Sequence, residues 1–97
     1  MFSHKLEKED LLLYLLVGNR VLEFYEFESD ITLIIKNYGI GQNELHGLYY
    51  SMIGKKYLYS PKPRVFRVSD SGFNSFDRIK KEMETKFFGK KLVPTQG

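Results

Sequence analysis

The 97-residue sequence predicts an α+β, mostly helical domain: a three-helix bundle closed by a two-stranded hairpin, with a further helix after it. Three observations carry that prediction. Ile31, Ile34, Ile35 and Tyr38 fall at i, i+3, i+4 and i+7, the stripe of a helix buried on one face. Leu45, Tyr49 and Met52 repeat the pattern at i, i+4 and i+7, and only Gly39-Ile40-Gly41 separates the two segments. Two aromatic and β-branched runs, Tyr57-Leu58-Tyr59 and Val65–Val68, then flank the Pro-bracketed tip Ser60-Pro61-Lys62-Pro63-Arg64.

Composition bounds the rest. With 42% hydrophobic and 28% charged residues the chain has a globular balance, and its length suits one domain with one modest core. It has no Cys, hence no disulfide framework and no thiolate metal site, which suits the cytoplasm. Met1-Phe2-Ser3-His4-Lys5 runs into Glu7, Glu9 and Asp10, so no secretory leader is expected. The apolar run Leu11–Val17 is far short of the roughly 20 residues that span a bilayer. Charge is uneven. Residues 1–48 hold four Lys/Arg against eight acids, and residues 49–97 hold eleven against four. The basic half contains the hairpin, and it is local field that attracts phosphates; a plain solvated surface is the competing reading of such a bias.

The elements follow in order. Residues 6–17 read as a first helix whose opening acids favour the positive end of the helix dipole, with Gly18-Asn19 as its stop and Gly18 free to turn left-handed. Residues 21–27 fit a short strand better than a resumption of that helix, although their alternation is imperfect. Ser29-Asp30 is a capping pair for the second helix, which Gly39 ends. Ile40 should tuck inward, and Gly41 with Glu44 makes half a capping box for the third helix. Two helices across so short a link are a helix-turn-helix signal. Ser69-Asp70-Ser71 supplies caps for a last helix from about 71 to 88, and 89–97 reads as a flexible tail.

The binding residues come from the faces this leaves over. Opposite its buried stripe the third helix carries Gln42, Asn43, His46 and Tyr50, which are hydrogen-bonding or aromatic rather than the Lys/Glu mix of an ordinary solvated face. Asn and Gln can pair bidentately with adenine edges. The plainer reading is that Gln42 and Asn43 are good first-turn residues. Lys55 after that helix and Lys62, Arg64 and Arg67 in the hairpin are cations placed for phosphates or a narrow minor groove. An edge charged to discourage strand pairing accounts for Arg67 equally well. On the last helix Phe73, Phe76, Ile79, Met83 and Phe87 recur at three- and four-residue steps. That stripe is long for so small a core, so a second copy of the chain is its expected cover, giving a homodimer, with packing inside the chain as the competing reading.

These residues resemble the winged helix-turn-helix family of small transcriptional regulators over roughly residues 6–88. The most specific part is the ending Arg64-Val65-Phe66-Arg67-Val68-Ser69-Asp70-Ser71-Gly72, which matches the family's R-x-[YF]-x-[LV]-[TS]-x-x-G pattern. The resemblance implies double-stranded DNA as partner, with the third helix in the major groove and the hairpin as a wing on the backbone or minor groove. The family also contains winged helices that bind protein instead, which is the alternative. It usually has Gly where this chain has Lys56, and Gly54 is expected to take over that turn.

Other chemistry is poorly served. With His4 and His46 as the only histidines and no Cys, there is no recognisable metal-ligand spacing and no nucleophile–base set, so no cofactor, no metal, no membrane contact and no enzyme activity are expected. Gly39-x-Gly41 lacks the third Gly and the preceding strand of a dinucleotide loop.

Overall fold

The computed structural model describes residues 6–26 and 28–85. Among them the order is α1 (Lys8–Gly18), β1 (Glu23–Tyr25), α2 (Ser29–Ile35), α3 (Gln42–Gly54), β2 (Leu58–Lys62), β3 (Val65–Val68) and α4 (Asp70–Met83). The strands form one antiparallel sheet in the order β1-β3-β2. Phe27, Phe87, the residues proposed to extend the last helix beyond 85, and the 89–97 tail lie outside the described residues.

α1 is the hub, packing against α2, α3 and α4. Leu12, Leu13, Leu15 and Leu16 are all buried, as expected of a segment apolar nearly all round. Its first turn is closed by the Asp10 carboxylate, which accepts the Glu7 amide at 2.9 Å and the Tyr57 hydroxyl at 2.6 Å. Asp10 is fully buried, so these bonds offset its desolvation.

The inner sheet face supplies the aromatic core. Phe24 and Phe66 are cross-strand partners and pack against Tyr49 of α3, with ring centroids 4.8–5.7 Å apart. Leu45, Tyr49 and Met52 are completely buried and Ile40 nearly so, as their spacing predicts. Gly41 and Glu44 form the expected half box, the Gly41 amide donating to Glu44 Oε1 at 3.1 Å. Ser69 caps α4, its Oγ accepting the Gly72 amide at 3.0 Å.

Several expectations are corrected. α2 stops at Ile35, so Tyr38 leaves the stripe and is 51% exposed; Gly39, at φ +75°, reverses the chain three residues after Lys36 has left the helix. The residue before α2 is Glu28, not Ser29, and its carboxylate accepts the Tyr25 amide. The strand β2 does not stop at Tyr59 but runs through Pro61 to Lys62. This is possible because β2 is an edge: the missing Pro N–H faces no neighbour, and the register slips between Tyr59 and Lys62. The turn itself is only Pro63-Arg64, with Arg64 at φ +69°.

Helix ends differ too. Neither Gly18 nor Gly54 turns left-handed. Arg20 (φ +63°) and Lys56 (φ +68°) do so instead, each one residue past a helix cap. Val21 N reaches Leu16 O, and Arg20 N reaches Val17 O; after α3, Tyr57 N reaches Met52 O, and Lys56 N reaches Ile53 O. This is the paired bonding of a Schellman ending. A cation beside the negative end of the helix dipole compensates part of the left-handed strain that Gly would have avoided.

Burial, the Asp10 hydrogen bond and the Asp10 charge push the Tyr57 phenol above its ordinary pKa, against a smaller opposing effect of Arg78. A folded-state pKa above the unfolded value means stability that is whole below about pH 10 and falls as pH rises through the folded value. Tyr57→Phe is therefore expected to cost about 1–3 kcal/mol at neutral pH and to flatten the alkaline decline. Urea melts from neutral pH upward measure both; an alkaline limb as steep as in the parent chain contradicts the assignment.

Candidate nucleic-acid interface

The exposed face of α3 is the starting point. Burying Leu45, Tyr49 and Met52 against the sheet and α1 leaves Gln42, Asn43, Gly47 and Tyr50 exposed, with His46 half-buried. Tyr50 is 56% exposed, its ring 5.2 Å from that of His46 and edge-on to Phe66 at 5.9 Å. The ring thus rests edge-on against the core while more than half of the residue stays exposed, as a stacking or hydrogen-bonding group needs.

The hairpin tip meets this face through one carboxylate. Glu26 follows β1, and its side chain is only 7% exposed. Its Oε1 lies 2.5 Å from His46 Nε2, and its Oε2 accepts from Arg64 Nε at 3.1 Å. Glu26 N also donates to Arg64 O, so main chain and side chain both tie the turn after β1 to the tip. His46, Tyr50 and Arg64 are therefore brought together, with Gln42 and Asn43 on the preceding turn of the same helix face. Sequence reasoning missed Glu26. It lies 20 and 38 positions from its two partners, and no local pattern marks such a contact.

The other predicted cations are placed differently. Lys55 sits at the far end of α3, about 20 Å along the axis from Gln42 at 1.5 Å per residue. It is held 2.9 Å from Glu7 at the start of α1, and that hydrogen bond raises its pKa. Arg67 points to the outer sheet face, 3.4 Å from Glu23 directly across the β1–β3 pair. Lys62 lies beside the tip, lining a shallow hollow with Tyr25, Glu28 and Val65, and is the one of the four without an ion-pair partner among the described residues. Three of the four cations are thus partly neutralised by acids from the first half of the chain. At the N-terminus of α3, Lys8 reaches Glu44 at 2.6 Å, and this bond and the Gly41 amide hold the Glu44 carboxyl below its usual range.

The last-helix stripe is mostly internal. Ile79 is fully buried and Met83 nearly so, both within the main core, and Phe76 stacks on Tyr14 of α1 at 6.1 Å. Ile79 and Met83 thus pack within the chain's own core, and Phe76, partly buried, rests on α1. Phe73 alone among the described members stays open, at 37% exposure. Among the described residues no helix is long and apolar enough to cross a membrane, and no three His, Asp or Glu side chains are grouped to hold a metal ion. Compared with family models, curated proteins and solved structures, the chain matches none of them.

Proposed function

We propose that this chain is a winged helix-turn-helix protein that binds double-stranded DNA as a homodimer and acts as a small transcriptional regulator. α3 enters the major groove, presenting Gln42, Asn43, His46 and Tyr50, while the β2–β3 hairpin serves as the wing with Lys62 and Arg64 on the phosphates. The observation that carries this reading is the Glu26 bridge, which fixes the wing tip and the exposed α3 face to one another in a single rigid unit. The element order helix–strand–helix–helix–hairpin–helix and the sheet order β1-β3-β2 support it. Lys55 and Arg67, each engaged with an acid away from that unit, are assigned no contact to bases.

Two cations per subunit give a dimer about four phosphate contacts and a log–log salt slope of about −4. Lys62→Glu with Arg64→Glu is expected to lower duplex affinity roughly a hundredfold at low salt and to flatten that slope, with the circular-dichroism spectrum retained although loss of the Glu26–Arg64 pair lowers the melting temperature. Fluorescence anisotropy against a mixed-sequence duplex across a salt series is the measurement. Unchanged affinity in the double variant would falsify the wing assignment.

A second reading is favoured by the neutralising acids: a winged-helix module whose α3 face, with Tyr50 at its centre, binds protein. Under it the parent chain shows no salt-dependent duplex binding at all, and the double variant behaves like the parent.

A further inference from the structure

Glu26 stands between the α3 face and the wing tip, and its side chain is only 7% exposed. Each of its oxygens has a partner: Oε1 lies 2.5 Å from His46 Nε2, and Oε2 accepts Arg64 Nε at 3.1 Å. The two partners are unequal. The Arg64 side chain is 76% exposed at the hairpin turn, where a phosphate can reach its guanidinium, whereas His46 Nε2 is fully buried on a side chain that is 44% exposed. The place of the tip does not depend on the Arg64 side chain, because Glu26 N also donates to Arg64 O at 2.8 Å. The guanidinium can therefore swing to a phosphate while the main chain of the tip stays where it is. Neighbouring charges are engaged elsewhere. Tyr50, one turn on in α3, meets the imidazole through its ring at 5.2 Å. Glu28 accepts the Tyr25 amide at 3.3 Å and shares a hollow with Lys62, and Glu44 takes Lys8 at the start of α3.

We infer that Glu26 is a positioning residue that couples duplex binding to the uptake of a proton by His46 in each subunit. The inference rests on the DNA-binding part of the function proposed above. Its ground is what befalls a buried carboxylate that loses a cation. In the free chain Arg64 supplies the charge that offsets Glu26, and a neutral imidazole donating from Nε2 completes the hydrogen bonding. A phosphate that draws the guanidinium away leaves Glu26 buried beside a neutral donor alone, which is costly. A proton taken from solvent at His46 Nδ1, while Nε2–H stays on Glu26, restores a cation beside the carboxylate. The imidazolium also adds positive charge to the α3 face, which suits a phosphate backbone. By linkage, the proton that binding takes up strengthens binding in return. Affinity is therefore expected to fall as pH rises through the range where imidazole gives up its proton, by up to about tenfold per pH unit for each subunit.

Fluorescence anisotropy on the full chain with a mixed-sequence duplex, at fixed ionic strength from about pH 5.5 to about pH 8, tests the coupling. The parent chain is expected to lose about tenfold or more in affinity over that span. His46→Gln and Glu26→Gln should each flatten the profile. Glu26→Gln should also bind at least as tightly as the parent at the alkaline end, since no carboxylate is orphaned when Arg64 leaves. A carboxylate that merely held the fold together would instead lose affinity at every pH when replaced. A second arm needs no DNA and does not depend on how the Glu26 variant folds. Arg64→Ala removes the guanidinium as a phosphate would, and the His46 ring-proton resonances are expected to titrate at higher pH in that variant than in the parent. Salt-dependent duplex binding with a flat pH profile, or with a profile that Glu26→Gln leaves unchanged, overturns the coupling and leaves the DNA reading intact. An unmoved His46 titration in Arg64→Ala overturns the coupling as well. A raised titration in a chain that binds no duplex overturns the DNA reading and keeps the link between Arg64 and His46.

Discussion

Phe66→Ala is expected to cost about 3–5 kcal/mol and to lower the urea midpoint steeply. Phe66 is 1% exposed on the central strand β3, and three rings meet its own: Tyr49 at 4.8 Å, Phe24 at 5.7 Å and Tyr50 edge-on at 5.9 Å. Each neighbour belongs to a different part of the architecture or of the site. Phe24 joins β1 to β3, Tyr49 seats α3 on the sheet, and Tyr50 carries the exposed face of α3. Removing the central ring leaves a void that fixed backbone on both sides cannot collapse into. A domain of this size holds about 5–15 kcal/mol in total, so the loss is a large share of it. Phe66→Leu, which keeps most of the volume, should cost about 1.5 kcal/mol or less. Urea titrations by circular dichroism separate the two, and an alanine variant less than about 1 kcal/mol below the parent would contradict the aromatic core described here.

The second large effect concerns Gly72. A Cβ there would fall 2.3 Å from the Tyr57 carbonyl oxygen and 3.0 Å from Val68 Cγ1. Its φ is not in the left-handed region, so the site requires empty space and not an unusual conformation. The crowding has an identifiable source. Ser69 N donates to Tyr57 O at 2.9 Å, and Ser69 Oγ donates to Lys56 O at 2.5 Å, drawing the first turn of α4 hard against the corner between α3 and β2. The clash is with main chain, which cannot swing aside as a side-chain tip would. Gly72→Ala is therefore expected to reach the upper end of the roughly 1–3 kcal/mol typical of overpacking, while the adjacent, exposed Ser71→Ala changes little. Differential scanning calorimetry on the pair measures the contrast; equal melting temperatures would show that the corner yields. The glycine that closes the Arg64–Gly72 pattern thus has a steric reason in this chain.

What the sequence made legible is what local periodicity and local chemistry encode. The buried stripes at Ile31–Ile35 and Leu45–Met52, the inward Ile40, the half box at Gly41 and the Ser69 cap all depend on residues within one or two turns of each other, and all are present. The extent of β2 was not legible because Pro61 signals a strand end unless one knows that the strand is an edge. The left-handed turns at Arg20 and Lys56 ran against glycine preference, since the Schellman bonding and the helix dipole set the turn one residue later than composition suggests. Ile79 and Met83 carry the correct spacing for either α1 or a second copy; periodicity identifies an apolar face but not what covers it. Of the site, the α3 face could be read directly. The neutralisation of Lys55, Arg64 and Arg67 by Glu7, Glu26 and Glu23 could not, because each pair joins segments that only the tertiary fold brings together.

The edge at Pro61 has a further consequence for how this molecule grows into anything larger. β2 offers an incoming strand a broken ladder with one donor missing. β1 offers only three residues, one of whose amides is already taken by Glu28. Among the described residues neither border offers an unbroken ladder to a stacking strand, so contacts between copies fall to side chains. Such contacts are finite and reversible on dilution, which protects a ring-rich chain from open-ended polymerisation.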